Sequence, residues 1–241
     1  MKLKIILLSL CGALSVGSCS DYFDPNLKGN VPEDLFYENL NNLRYALNTA
    51  YSLMETEKYQ RSELLFGEAI SDNCWNVQDV TSGEIYDILN FQFNTENSYI
   101  LERYQVNYEG INKVNQIIRS IPHVKYRTDG TSPKEIREVY GQAKVLRALF
   151  YFNLVKTFGG VSIQPEIPEL SGLVVPRSTL EETYAYIEKD LRESILLLRK
   201  QRYQLSEAGQ ISAGGALGLL MKVLLYEASP GVDLPNVDKT A

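Results

Sequence analysis

Residues 142–161 read Gln-Ala-Lys-Val-Leu-Arg-Ala-Leu-Phe-Tyr-Phe-Asn-Leu-Val-Lys-Thr-Phe-Gly-Gly-Val, and the fold turns on this stretch. From Gln142 to Phe158 there is neither glycine nor proline, and Val145, Leu146, Leu149, Phe150, Phe152 and Leu154 leave almost no polar face. A helix that is apolar nearly all round belongs in the middle of a core. Gly159-Gly160 supplies its stop, since glycine tolerates the left-handed turn that ends many helices. Ten residues or so upstream, Ser132-Pro133-Lys134-Glu135 fits a capping box, in which serine and glutamate satisfy free backbone N–H groups reciprocally. The spacing therefore predicts one long, central helix between Ser132 and Phe158.

Working outward, Ser178-Thr179-Leu180-Glu181 matches a second capping box, and Leu180, Tyr184, Ile187, Leu191, Ile195 and Leu198 form one helical face behind it. An extended link with Pro165, Pro168 and Pro176 joins the two. A last helix, Ser212 to Ala228, is rich in small residues (Ala213, Gly214, Gly215, Ala216, Gly218) and ends at Ser229-Pro230-Gly231. Toward the amino terminus, Phe36, Leu40, Leu43, Leu47, Tyr51 and Met54 make one apolar face, and Ile100, Tyr104, Ile111, Val114, Ile118 and Ile121 make another. A weaker helical stretch runs near Ser62 to Ala69, and the residues from Ser71 to Asn97 read as a long polar connection. Strand signals are scarce. The fold class is all-α, with no consensus repeat, and its helices are expected to stack as loose pairs of tetratricopeptide-like type with long loops.

The amino terminus carries an export signal. Lys2 and Lys4 precede a short apolar run, Ile5 to Val16, too short to cross a bilayer, which needs roughly 20 apolar residues. The run ends in Val16-Gly17-Ser18-Cys19, a lipobox pattern. Small residues admit the peptidase, and the Cys19 thiol is the group that takes the lipid. The expected organisation is a lipoprotein signal peptide at 1–18, a lipid-anchored tether at 19–31, and a helical domain at 32–241. Anchorage by two or more acyl chains, palmitate among them, holds stably where one chain does not.

With 24 basic and 30 acidic residues the net charge is −6, and loss of Lys2 and Lys4 makes the mature body more acidic still. No basic block is present, which argues against nucleic acid, whose binding rests on neutralising phosphates. Of three cysteines, Cys11 leaves with the signal, Cys19 is modified and Cys74 is left alone, so no internal disulfide is expected. His123 is the only histidine and follows Pro122 at a helix end, a surface position rather than a metal or catalytic one. Glu181-Glu182 sit where acids complement a helix start, not as a glycosidase pair. No catalytic residue, metal ligand or cofactor is expected. For binding, Trp75 is the leading choice: sugar C–H faces stack on indole, and Asp72, Asn73 and Asn76 lie beside it to take hydroxyls. Tyr86, Tyr99 and Tyr104 are weaker choices on the same argument.

Three blocks resemble the SusD/RagB family of surface lipoproteins. Residues 142–161 are similar to the family's Ala-x-x-Leu-Arg-Ala-x-x-Tyr-Phe-x-Leu-Val-x-x-(Tyr/Phe)-Gly-Gly-Val segment. Pro176-Arg177-Ser178-Thr179-Leu180-Glu181-Glu182 through Tyr186-Ile187-Glu188-Lys189-Asp190-Leu191 is similar to its Pro-Arg-x-(Ser/Thr)-x-x-Glu and Ile-x-x-Asp-Leu pattern. Ala216 to Tyr226 is similar to its Ala-x-x-Leu-Leu-Ala-Arg-Val-x-Leu-Tyr helix. The resemblance implies a lipoprotein at the outer membrane, facing the exterior. It further implies capture of a polysaccharide or oligosaccharide glycan for a SusC-like TonB-dependent transporter, with no enzymatic step. It covers only the amino-terminal part of the family's usual length. Two other readings of the helices stay open: a peptide- or protein-binding helical-repeat scaffold, and a truncated, non-binding remnant. The matched blocks are helix faces, caps and a turn, and bring no ligand residue with them.

Overall fold

The computed structural model describes residues 37, 39–71, 74, 82–124, 132–164, 174–200, 209–229, 231 and 232. The signal, Cys19 and the tether lie outside the described residues, as do Asp72, Asn73, Trp75 and Asn76. The chain divides into Met1–Leu35 and Phe36–Ala241, and the described residues all belong to the second unit.

Seven helices are described: α1 (Leu40–Ser52), α2 (Glu57–Glu63), α3 (Glu84–Leu89), α4 (Ser98–Ser120), α5 (Pro133–Phe158), α6 (Leu180–Leu197) and α7 (Ala213–Glu227). No strand occurs among the described residues. Every described helix except α3, which follows Gly83, starts where a short polar side chain caps it. Asn39 accepts from Asn42 N at 2.9 Å, Asn97 from Tyr99 N at 3.1 Å, and Ser212 from Gly215 N at 3.4 Å. The box at Ser132 forms as read: Glu135 accepts from Ser132 N at 3.1 Å, and Ser132 Oγ from Lys134 N at 3.2 Å.

The second box sits one residue later than the sequence reading. Thr179, not Ser178, caps α6, and its reciprocal partner is Glu182 (Thr179 N to Oε2, 2.8 Å) rather than Glu181. The cause is tertiary. Ser178 N donates to Val161 O at 3.1 Å, which holds Ser178 in the incoming link. Two other departures occur upstream. α2 continues as a π-helical stretch, Leu64–Ala69, and a short helix, α3, interrupts the connection read as loop.

Consecutive helices pack on one another, α4 on α5, α5 on α6 and α6 on α7, while α1 lies against both α4 and α5. α5 is the hub. Val145, Leu146, Phe150, Tyr151, Phe152 and Leu154 are all buried in a core with Leu43 of α1, Ile111, Val114 and Ile117 of α4, and Ile187 and Leu191 of α6. Close approach of α4 and α5 needs Gly110, where a Cβ would stand 2.5 Å from Phe150.

The two glycines after α5 have separate duties. Gly159 takes φ +73°, the left-handed stop; Gly160 lets the α6 lead-in pass so closely that a Cβ would meet Ser178 O at 2.2 Å. Arg177 then fastens the turn, its Nε donating to Gly160 O and its Nη2 to Phe158 O, both at 2.5 Å. The Gly-Gly-Val and Pro-Arg-Ser-Thr patterns are thus two halves of one joint.

Inside the core, α5 carries charge. Asp190 of α6 accepts from Lys144 Nζ at 2.9 Å, Arg147 Nε at 2.7 Å and Arg147 Nη2 at 3.0 Å, and Asn115 of α4 accepts from Arg147 Nη1 at 2.9 Å. Burial alone would lower the Lys144 amine, but Asp190 and Glu193 outweigh it and hold the amine above its ordinary value. A second cluster surrounds Arg103, which is 1% exposed. Arg103 bonds to Ser62, Glu63, Thr157 and the Asn153 carbonyl, and so ties α2 and α4 to α5.

Candidate functional site

The segment that links the 71–83 region to α4 is the most unusual surface described. Gly83, at φ +99°, precedes α3, and the first residue of α3, Glu84, is locked to the start of α4. Ser98 N and Ser98 Oγ donate to the Glu84 carboxylate at 2.8 and 2.5 Å, and Asn97 Nδ2 donates to Glu84 O at 2.9 Å. These bonds from Ser98 hold the Glu84 carboxyl below the ordinary carboxylate range. Between α3 and α4 the chain turns through Phe91, at φ +55°, its amide bonded to Ile88 O at 3.1 Å. A bulky residue in the left-handed region costs roughly 1–2 kcal/mol.

That strained turn shows its rings to water. Phe91 is 68% exposed and Phe93 46% exposed, and they alternate in the chain with exposed Asn90, Gln92 and Asn94, of which Asn90 Nδ2 donates to Tyr86 O at 2.8 Å and Asn94 Oδ1 accepts from Glu96 N at 2.9 Å. The left-handed turn is the cap that ends α3, with Phe91 N bonded to Ile88 O and Gln92 N to Asp87 O at 2.8 Å, so it is the exposure of two neighbouring rings that points to a binding surface. An apolar ring face bordered by carboxamides matches a sugar: the ring covers C–H bonds, and the amides serve hydroxyls.

Among the residues expected from sequence, Trp75, Asp72, Asn73 and Asn76 lie outside the described residues. Cys74, between them, is exposed with a free thiol. Tyr86 and Tyr99 are half-buried, and the Arg61 guanidinium lies 5.4 Å from the Tyr99 ring centre. Tyr104 is 41% exposed but rests on Tyr108 (4.5 Å) and the edge of Phe158 (5.7 Å). Phe91 and Phe93 were not singled out from sequence, since Phe-Gln-Phe carries no sign of which face meets solvent.

Glu182 is engaged in its cap, His123 is exposed in a 3-10 turn, and among the described residues no three His, Cys, Asp or Glu cluster as a metal would need. No described helix is long and apolar enough to cross a membrane.

A family model described as "Starch-binding associating with outer membrane", SusD-like, matches residues 24–225. The chain belongs to the SusD-like family. Two SusD-like proteins of Formosa agariphila are each 24% identical to this SusD-like chain, over 192 and 193 residues, or 79% and 80% of it. The matched segments make up 36% and 35% of those relatives, so the chain spans about a third of their length. A solved laminarin binding SusD-like protein superposes with a TM-score of 0.68 at 26% identity, over 80% of this chain and 41% of its own. A SusD homolog from Bacteroides thetaiotaomicron gives 0.70 at 25%, over 83% and 38%. These likenesses confirm the all-helical, tetratricopeptide-like SusD-like architecture.

Proposed function

We propose that this SusD-like chain captures oligosaccharide at the outer-membrane surface, held there by acyl chains on Cys19, and passes it without chemistry to a SusC-like TonB-dependent transporter. The observation that carries the binding role is the strained, solvent-facing Phe91 with Phe93 and their amide borders, at the end of a connection that also contains Trp75. The likeness to a laminarin binding SusD-like protein favours a neutral glucan as ligand. The decisive experiment is affinity electrophoresis through gels containing laminarin, starch or no polysaccharide. Retardation by a glucan that is lost in Phe91→Ala/Phe93→Ala, with melting unchanged, supports capture; equal mobility of both proteins in every gel refutes it. For the anchor, radiolabelled palmitate is expected in the wild-type protein and not in Cys19→Ala, and label in both would refute Cys19 as the acylated residue.

One feature favours a second reading, in which the helices bind protein. α7 exposes Leu217, Met221, Leu224 and Leu225, an apolar face unlike that of the other helices. Crosslinking from a photoreactive residue at Met221 distinguishes the two readings: adducts with soluble peptides, without polysaccharide retardation, would favour the scaffold.

A further inference from the structure

A cleft of about 280 Å³ opens between α1 and α5, away from the residues discussed above, lined by Arg44, Leu47, Asn48, Glu135, Glu138, Val139, Gln142, Arg199 and Gln210. Two features of its wall limit what could occupy it. The first is charge. Arg44 pairs with Glu135 at 2.8 Å and Arg199 with Glu138 at 2.9 Å, so the wall is charged but balanced. Backbone bonding from Ser132 and the Arg44 guanidinium hold Glu135 below the ordinary carboxylate range. A charged guest would unbalance two pairs; a neutral one would not.

The second feature is the alternation of donors and acceptors over an apolar floor. Leu47 and Val139 are buried beneath the cleft. Gln142 is fixed, accepting from Tyr51 Oη at 2.8 Å and donating to Gln210 at 3.2 Å. That leaves the Gln210 amide N–H pair and the whole Asn48 carboxamide without a partner among the described residues, beside the Glu135 carboxylate, which accepts from Arg44 and Ser132 N, and the Glu138 carboxylate, which accepts from Arg199. Adjacent guanidinium and carboxylate groups suit a vicinal diol, where one hydroxyl accepts and its neighbour donates. The volume, just below the usual range of roughly 300–1,000 Å³ for ligand pockets, suits a single ring.

We propose that the α1–α5 cleft is a subsite for one neutral, polyhydroxylated ring, with Asn48 and Gln210 as hydrogen-bonding residues and Leu47 and Val139 under its C–H face. That the ring is a sugar rests on the capture role proposed above; the cleft's preference for a neutral polyol does not. The test is a titration of the ¹⁵N-labelled chain with glucose, myo-inositol or glucuronate, followed through the side-chain amides of Asn48 and Gln210, assigned from Asn48→Ala and Gln210→Ala. Glucose or inositol should shift both amides saturably and glucuronate should not. Asn48→Phe, a substitution at an exposed helix position that fills the mouth, should weaken the response of the Gln210 amide at least about tenfold, or about 1.4 kcal/mol. Melting that matches wild type shows that the variant folds. No saturable shift with either neutral ring, an equal response to glucuronate, or a Gln210 response unaltered in Asn48→Phe overturns the proposal. Amide shifts without polysaccharide retardation would leave the cleft standing and refute capture at Phe91 and Phe93; retardation without shifts would do the reverse.

Discussion

Replacing Asp190 by asparagine tests the charged core. The side chain keeps its shape, but its charge is lost between two cations, Lys144 and Arg147, that are 4% and 1% exposed. Asp190 accepts three of their hydrogen bonds, and an asparagine, with one acceptor oxygen, can serve two at best while turning its NH2 toward a guanidinium. Asn115 still serves one Arg147 nitrogen, and Glu193, whose side chain is 43% exposed, still meets Lys144 at 2.6 Å. Breaking one partner out of a buried ion pair costs about 3–5 kcal/mol, since the uncompensated charge stays behind. With Glu193 left in place we expect the lower end, about 3 kcal/mol, and a midpoint roughly 10 °C lower for a chain of this size. Far-UV circular dichroism melts and urea titrations at pH 7 read both quantities. The matching control is Lys144→Met/Arg147→Met/Asp190→Leu, which removes every charge of the trio and should lose less than Asp190→Asn. A loss under about 1 kcal/mol for Asp190→Asn, or a triple variant worse than the single one, would refute the view that desolvated charge dominates here.

Phe91→Gly should raise stability by about 0.5–1 kcal/mol, because φ +55° is strained for phenylalanine and free for glycine, while polysaccharide retardation falls; a lower melting point would remove the argument from strain. Gly160→Ala should cost about 2–3 kcal/mol, as its methyl would press on the Ser178 carbonyl, and a neutral melt would mean that the joint between α5 and α6 yields easily. Burial, and then the neighbouring Glu188, push the Glu227 carboxyl up to about 7. Between the unfolded value near 4.5 and 7 the folded chain therefore holds the extra proton, so stability is greatest below that window and falls as pH rises through it. Glu227→Gln should flatten that decline in melts from pH 4.5 to 7.5; an unchanged slope would place its origin elsewhere.

Much of the helical plan was legible. Ser132-Pro133-Lys134-Glu135 and Gly159-Gly160 bracket α5 because a cap and a left-handed stop act within one turn of the backbone. The next start was misplaced by one residue, because Ser178 is claimed by a bond from its N–H to the Val161 carbonyl, which no local pattern encodes. α3 was missed for a related reason: six residues are too few to show a helical period, and this one is kept by Glu84 meeting Ser98. The candidate site was less legible still. Residues 72–76 drew attention through tryptophan, whereas Phe91 and Phe93 look in sequence like any core phenylalanines. The Asn48 and Gln210 side chains come together only because α1 and the lead-in to α7 both reach α5.

The sequence alone settled that this chain is helical, where α5 starts and stops, and which family it resembles, because caps, turns and apolar periodicity are carried by residues a few positions apart. Only the tertiary structure decided that Lys144, Arg147, Asp190 and Arg103 lie inside while Phe91 and Phe93 lie outside, the opposite of what their chemistry suggests. Desolvation and its compensation depend on partners more than thirty residues away for Arg147, and on a backbone turn fixed by α4 for Phe91.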